Sequence, residues 1–183
     1  MTSVFIGGSR KIISLPSLVT ERLDNIIAQG MTVFVGDANG ADKAVQRYLA
    51  DKKYEKVFVH CIEGACRNNI GNWETKPTAA PLSAKGFNLY KLKDEAMAQA
   101  ASYGFMLWDA KSMGTLNNII NLLKQNKKTL VFFSPEKTFY TISDYYGLSD
   151  LLNKCETEDR IALDKKLNLK QLLEAEQVEF AFA

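Results

Sequence analysis

The sequence has one histidine, no long apolar run and almost no net charge. A single histidine excludes any metal site built from several imidazoles. No apolar stretch among the 183 residues has the length that a bilayer-spanning helix needs, so we expect no membrane contact. Lys and Arg total 23 against 21 Asp and Glu, and this formal charge of +2 does not indicate a strongly basic surface.

Cysteine is also scarce. Three cysteines fit a reducing compartment, and residues 1–4 lack the features of a signal peptide, so we expect a cytoplasmic protein. His60 with Cys61 and Cys66 matches no common zinc spacing, so we expect no metal site and no certain cofactor. His60 follows the apolar run 56–59, and we expect it to end a strand.

The sequence does contain the composition of a globular domain, with 46% apolar and 24% charged residues. Short β-branched or aromatic runs alternate with segments of helical period. This alternation predicts β-α-β units, and so an α/β fold with a parallel sheet of about five strands and helices on both faces. The predicted strands are 4–6, 32–35, 57–59, 105–108 and 129–133, and the predicted helices are 19–27, 41–49, 92–101 and 116–123.

Two parts of the chain lack this pattern. Residues 61–86 are polar and without clear period, and we interpret them as a long loop of the kind that often forms a lid. From residue 134 we predict a helical C-terminal extension, packed on the sheet domain (residues 1–133) or on a second subunit. The predicted helices of this extension (residues 134–183) are 144–153 and 169–178, before an apolar end at 180–182.

Loops rich in glycine and small polar residues follow three of the predicted strands, at 7–10, 36–42 and 108–115. Ligands of parallel α/β sheets bind beyond the carboxyl ends of the strands. Backbone amides and helix N-termini at that edge favour an anion such as phosphate. The sequence therefore predicts an anion site at this edge of the sheet.

The order of these motifs resembles the SLOG superfamily. The motifs are Gly-Gly-Ser-Arg at 7–10, Gly-Asp-Ala-Asn-Gly-Ala-Asp at 36–42, Lys-Asp-Glu-Ala-Met at 93–97 and Trp-Asp-Ala-Lys-Ser-Met-Gly-Thr at 108–115. SLOG is a Rossmann-like group that contains phosphoribohydrolases, the DNA-processing protein DprA and small YspA-type proteins. The resemblance is closest to the YspA-type branch and covers roughly residues 3–133.

The resemblance implies a Rossmann-like three-layer fold that binds a nucleotide or nucleotide-derived ligand, as a sensor or a processing protein. It places around this ligand Gly8, Ser9, Arg10, Gly36, Asp37, Asn39, Gly40, Asp42, Ser112, Gly114 and Thr115. Two residues have a second interpretation. Ser112 also has the position of a helix N-cap, and Asp42 suits either a helix cap or a contact with a ribose hydroxyl.

The alternative function is hydrolysis of an N-glycosidic bond. Three positions after the Gly-Thr step, the phosphoribohydrolases have a catalytic glutamate where this chain has Asn118, and their catalytic arginine aligns with Lys93. Such an enzyme needs a carboxylate near the anomeric carbon. The carboxylates that we consider as substitutes are Asp109, Asp94 and Glu95, together with Lys93 at the arginine position, although each carboxylate also has a structural interpretation. We expect Asp37 and Asp42 nearby in the fold as well. Sensing without turnover is favoured by Asn118.

The predicted long loop adds three candidate ligand contacts, Arg67, Asn68 and Trp73. Arg67 suits a phosphate, and Trp73 suits stacking on a base. Alternatively, Trp73 anchors the loop to the core and the asparagines complete turns.

A third function, nucleic-acid binding in the manner of DprA, requires basic residues gathered on one face. The lysine clusters at 52–56 and 124–128 follow predicted helix C-termini, where cations are favoured in any case. We therefore expect a small nucleotide ligand, an unlikely nucleic-acid partner, and a homo-oligomer formed through the extension.

Overall fold

The computed structural model describes residues 2–81 and 83–174, in which seven strands form one sheet. The strands are β1 (Ser3–Gly8), β2 (Thr32–Gly36), β3 (Val57–Ile62), β4 (Glu74–Thr78), β5 (Tyr103–Trp108), β6 (Thr129–Phe133) and β7 (Thr138–Ile142). The helices are α1 (Ser17–Ala28), α2 (Ala41–Asp51), α3 (Gly86–Ala100), α4 (Met113–Leu123), α5 (Tyr145–Leu152) and α6 (Thr157–Leu167). Residues 169–174 are helical as well.

The strand order is β4-β3-β2-β1-β5-β6-β7, and every neighbouring pair is parallel except β6 with β7. The predicted α/β class with a parallel sheet is confirmed. The chain runs outward from β1 in one direction and then returns to its other side with β5. This reversal leaves a crevice at the carboxyl end of β1, between the loops that follow β1 and β5.

Two layers of helices cover the sheet. Apolar residues of α1 and α2 pack on one face against alternate residues of the strands, including Val4, Ile6, Val33 and Val35. Helices α3 to α6 pack on the other face, around the buried Trp108. The central strands are buried on both faces, and for this reason they have the continuous apolar sequences that predicted them.

Two strands were not predicted. β4 (Glu74–Thr78) is polar and contains Pro77, and it lies at the sheet edge, where one neighbour suffices and a proline is tolerated. β7 (Thr138–Ile142) follows the tight turn 134–137 and pairs antiparallel with β6. The prediction of an unstructured loop over 61–86 is therefore corrected by β4. The predicted extension contains helices as expected, and β7 precedes them.

The extension shares the core of the sheet domain. Leu148, Leu151 and Leu152 of α5 are buried in the same cluster as Trp108. The charged segment before residue 169 forms α6, which we had not predicted. The predicted helix over 169–178 is present as far as residue 174, and its remainder and the apolar end at 180–182 lie outside the described residues.

In the part of the chain that the structure describes, no helix combines the length and the apolar content needed to cross a membrane.

Candidate functional site

A cleft of about 500 Å³ opens at the carboxyl end of β1. Its walls come from the loops after β1 and β5, the first turns of α3 and α4, and the Arg67 segment. The predicted site residues that line it are Gly8, Ser9, Arg10, Asp42, Arg67, Lys93, Asp109, Ser112, Gly114 and Thr115. The structure therefore brings residues from five separate parts of the chain to one place.

A hydrogen bond joins the loops after β1 and β5. Ser9 Oγ donates to Asp109 Oδ2 over 2.6 Å. The amides of Lys111 and Ser112 donate to Asp109 Oδ1 over 3.1 and 2.8 Å. Both oxygens of Asp109 are engaged in holding the two loops, which favours the structural interpretation of this carboxylate.

The N-terminus of α4 faces the cleft. Ser112 is its N-cap, and its Oγ accepts hydrogen bonds from the amide and the hydroxyl of Thr115 at 3.4 and 2.9 Å. A Cβ added to Gly114 would meet no atom within 4 Å, so the space beside this first turn is open. The capping role of Ser112 is present in the structure, and its ligand role stays a prediction.

Lys93 is buried at the base of the cleft among carboxylates. Its side chain is 4% exposed, and its Nζ lies 2.8 Å from Asp94 Oδ1 and 3.8 Å from Asp37 Oδ1. Burial would lower the pKa of Lys93, but the charges of Asp94 and Asp42 raise it above its usual value. Lys93 therefore stays cationic and compensates carboxylates that would otherwise be buried without a partner.

Asp42 is a second buried carboxylate of this cluster. Burial raises its pKa to about 6, against the charge of Lys93, which lowers it. Asp42 Oδ2 accepts a hydrogen bond from the amide of Ala38 at 3.1 Å, so it holds the loop after β2 instead of capping α2. A Cβ on Gly36 would lie 2.3 Å from Asp42 Oδ2 and 3.0 Å from Lys93 Nζ, and glycine leaves the room that this pair needs.

Arg67 forms one wall of the cleft. Its Nη2 and Nε donate to the two oxygens of Asp37 over 2.6 and 3.1 Å, and its amide donates to the same carboxylate over 3.0 Å. Although burial would raise it, the pKa of Asp37 is held below its usual value by these hydrogen bonds and by the charge of Lys93. The Arg67 guanidinium lies 4.3 Å from the centre of the Tyr90 ring, and that of Arg10 lies 5.5 Å from it.

Several predicted residues do not line the cleft. Glu95 is half-exposed on α3 and pairs with Lys91 over 3.5 Å. Trp73 donates its Nε1 hydrogen to the Tyr54 carbonyl over 2.8 Å and packs on the apolar cluster beneath α1 and α2, so it anchors the loop. The others, which support the cleft from outside its lining, are Gly36, Asp37, Asn39, Gly40 and Asn68.

Among these supports, Asn68 ties two loops together. Its Nδ2 donates to the Asp37 carbonyl over 2.7 Å and to Asn39 Oδ1 over 3.2 Å. The asparagines of this segment therefore complete turns, which is one of the two roles that the sequence left open.

Other lining residues were missed by the sequence reasoning. Tyr90 and Phe87 belong to the first turns of α3, which begins at Gly86 and not at residue 92. Their i, i+3 spacing was the available signal for that earlier start. Lys11 and Lys111 also line the cleft. Lys11 directly follows the motif at 7–10, and Lys111 lies within the motif at 108–115 but was not among the predicted contacts.

Asn118, at the position of the family's glutamate, lies at the base of the cleft. With its amide oriented to donate, its nitrogen lies 3.3 Å from Asp94 Oδ2 and from the Gly114 carbonyl. Among the described residues, no group of three or more His, Cys, Asp or Glu side chains is arranged to hold a metal ion.

No family model and no curated protein matches this chain. A solved structure of DNA processing protein A from Helicobacter pylori is similar in fold, with a TM-score of 0.50 at 15% sequence identity. The match covers 91% of this chain and 80% of that chain. The relation to DprA that the motifs suggested is thus supported at the level of the fold.

The description of that structure concerns its single-stranded DNA binding mode. Our expectation that a nucleic-acid partner is unlikely is therefore wrong, because a protein with this fold binds single-stranded DNA. The small net charge was a poor criterion, since it averages over the whole surface and ignores the cations collected at one cleft.

Proposed function

We propose that the cleft binds a nucleotide through its phosphate, and the observation that carries this proposal is the open N-terminus of α4. Gly114 and Thr115 line the cleft. Ser112 caps the amide of Thr115, and the other first-turn amides of a helix have no partners within the helix. These amides and the positive end of the helix dipole attract an anion. Arg10 and Lys11 supply positive charge along the same cleft, and Lys111, which pairs with Asp159 over 2.9 Å, lies beside them.

The rest of the cleft has groups that suit a sugar and a base. Tyr90 and Phe87 are flat apolar surfaces of the kind on which bases stack. Asp94 offers acceptor oxygens for sugar hydroxyls, beside Asn118. A volume of about 500 Å³ lies within the usual range of small-ligand sites.

The second candidate is a nucleotide within single-stranded nucleic acid. The shared fold with a single-stranded DNA-binding protein favours it. The chemistry is the same, since cations that follow a phosphate backbone and an aromatic surface for bases are the usual parts of such a site. We also propose that the chain is a YspA-type member of the SLOG superfamily, on its motifs and this fold.

Binding measurements on the intact protein test the proposal. Calorimetry with AMP and with inorganic phosphate measures free-ligand binding, and anisotropy of a labelled oligo(dT) of about 12 nucleotides measures strand binding. Arg10→Ala removes a cation from the cleft, and we expect it to weaken binding about tenfold or more. Lys165→Ala, an exposed lysine on α6, is the matched control and leaves affinity unchanged.

Binding of a free nucleotide and binding of a nucleic-acid strand differ in their dependence on salt. Strand binding weakens steeply when salt rises from about 0.05 to 0.2 M, whereas binding of AMP alone changes far less. The absence of saturable binding to all three probes would contradict the proposal. So would an Arg10→Ala variant that binds as tightly as the unchanged protein.

A further inference from the structure

Two cysteines face each other across a tight turn beside the cleft. Ile62, the last residue of β3, forms an antiparallel bridge with Ala65, whose amide donates to the Ile62 carbonyl over 3.0 Å. Gly64 has φ of +73°, which suits the third position of a type II turn. The residues that flank a bridged pair are cross-strand neighbours, so Cys61 lies opposite Cys66.

This placement has the geometry that a disulfide needs. Directly opposite residues of an antiparallel pair have Cα atoms about 4.5–5.5 Å apart, and disulfides form at Cα separations of about 4.4–6.8 Å. Burial, and then the neighbouring Cys66 thiol, raise the pKa of Cys61 to about 12.

The two thiols differ in access to solvent. Cys66 is exposed and Cys61 is buried. A dissolved oxidant therefore reaches Cys66 first, and the buried neighbour is positioned to react with the oxidised sulfur. Solvent access and a second thiol close by are two features of redox-sensing cysteines.

We propose that Cys66 and Cys61 are an oxidant-responsive thiol pair that takes a peroxide as its reactant. The Cys66 thiol and hydrogen peroxide give a sulfenic acid at Cys66 and one water. The Cys61 sulfur then attacks the Cys66 sulfur, an S–S bond forms, the S–O bond breaks, and the departing hydroxide takes the thiol proton as a second water. The two thiols lose two hydrogens in total, and the peroxide is reduced.

A disulfide between Cys66 and Cys61 would affect Arg67, which forms one wall of the cleft. Arg67 directly follows Cys66, and both its amide and its guanidinium bind Asp37 while it stacks on Tyr90. A bond between Cys66 and Cys61 would tie the Arg67 segment to β3 and restrict its movement. The proposal of a thiol pair goes beyond the proposed nucleotide binding. Oxidation of the two cysteines does not require that the cleft binds a nucleotide.

Peptide mapping of the full-length protein tests the pair. The protein is treated with hydrogen peroxide, free thiols are blocked with N-ethylmaleimide, and the chain is digested. Trypsin cleaves after Lys56 and after Arg67 and so releases residues 57–67 as one peptide. We expect this peptide to lose two hydrogens and to take up no maleimide. Further cleavage after Glu63 leaves its two halves joined until a reductant is added.

Variants distinguish this pair from general thiol oxidation. Cys66→Ser abolishes the change at Cys61, whereas Cys155→Ser, which removes a half-buried thiol of the extension, leaves it intact. The proposal is overturned if peroxide converts Cys66 to a sulfinic acid while Cys61 still takes up maleimide. It is equally overturned if Cys66 stays reduced or cross-links two chains.

Discussion

His60, the only histidine, has a packing role within β3, two residues before the strand ends at Ile62. It is buried, its ring meets the edge of the Phe34 ring at 5.4 Å between centres, and neither ring nitrogen has a hydrogen-bond partner among the described residues. Burial, followed by the charges of Lys93 and Lys76, lowers its pKa to about 4. We predicted that His60 ends a strand, but β3 continues to Ile62, and His60 is a neutral imidazole inside it.

This neutral imidazole makes the protein sensitive to acid. His60 takes up a proton near pH 6.5 in the unfolded chain but only near pH 4 in the folded one, so its contribution to stability is lost as pH falls through that window. His60→Phe removes this dependence. We compare the free energies of unfolding of the variant and the unchanged protein. Relative to the unchanged protein, we expect the variant to be about 2 kcal/mol more stable at about pH 4.5 than it is near pH 8.

Urea unfolding of both proteins at the two pH values measures this difference. Parallel pH profiles for the two proteins would mean that His60 titrates normally in the folded state.

At the scale of one element, α3 contributes most to the base of the cleft. It places Tyr90, Lys93 and Asp94 toward the cleft and packs Met97 beneath them. Periodicity predicted only its second half, because the apolar pattern there reflects core packing. Its first turns face the cleft, where apolar spacing is not required.

The buried charge on α3 gives a prediction. Lys93→Met leaves Asp37, Asp42 and Asp94 without their shared cation, and we expect it to cost about 3–5 kcal/mol of stability near pH 7. The loss becomes smaller near pH 5, since the pKa of Asp42, already about 6, rises further without the lysine and the protonated form is cheaper to bury.

Lys91→Met on the same helix is the matched control. Lys91 is half-exposed and pairs with Glu95, so its loss changes stability by no more than about 0.5 kcal/mol. Equal losses of stability for the two substitutions in chemical denaturation would show that the buried carboxylates do not need the charge of Lys93.

At the scale of the whole molecule, the extension and the sheet share one apolar core. Leu148 of α5 is fully buried in the cluster that contains Trp108, and β7 extends the sheet at its edge. We expect Leu148→Ala to lower the stability of the entire protein by about 2–5 kcal/mol in one cooperative transition. Ile161→Ala, on the exposed side of α6, changes it by less than about 0.5 kcal/mol.

Thermal unfolding followed separately by far-ultraviolet circular dichroism and by tryptophan fluorescence checks this prediction. A Leu148→Ala protein whose sheet melts at the original temperature, with only the extension lost, would contradict it.

The sequence by itself determined the buried strands, the α/β class and the loops that reach the cleft. A strand buried on both faces must be continuously apolar, and a glycine-rich loop after such a strand has few other places to lie. Gly8, Ser112 and Thr115 were accessible to prediction on those grounds.

Only the tertiary structure decided which other side chains meet at the cleft. Arg67 and Asp37 are separated by 30 positions, and no local pattern predicts their ion pair. Trp73 does not line the cleft because it packs near the opposite end of β3. Glu95 does not line it because it lies on an exposed face of α3. The edge strands β4 and β7 were not predicted for the same reason. Their stability comes from pairing with a neighbouring strand, and such pairing leaves little trace in the local sequence.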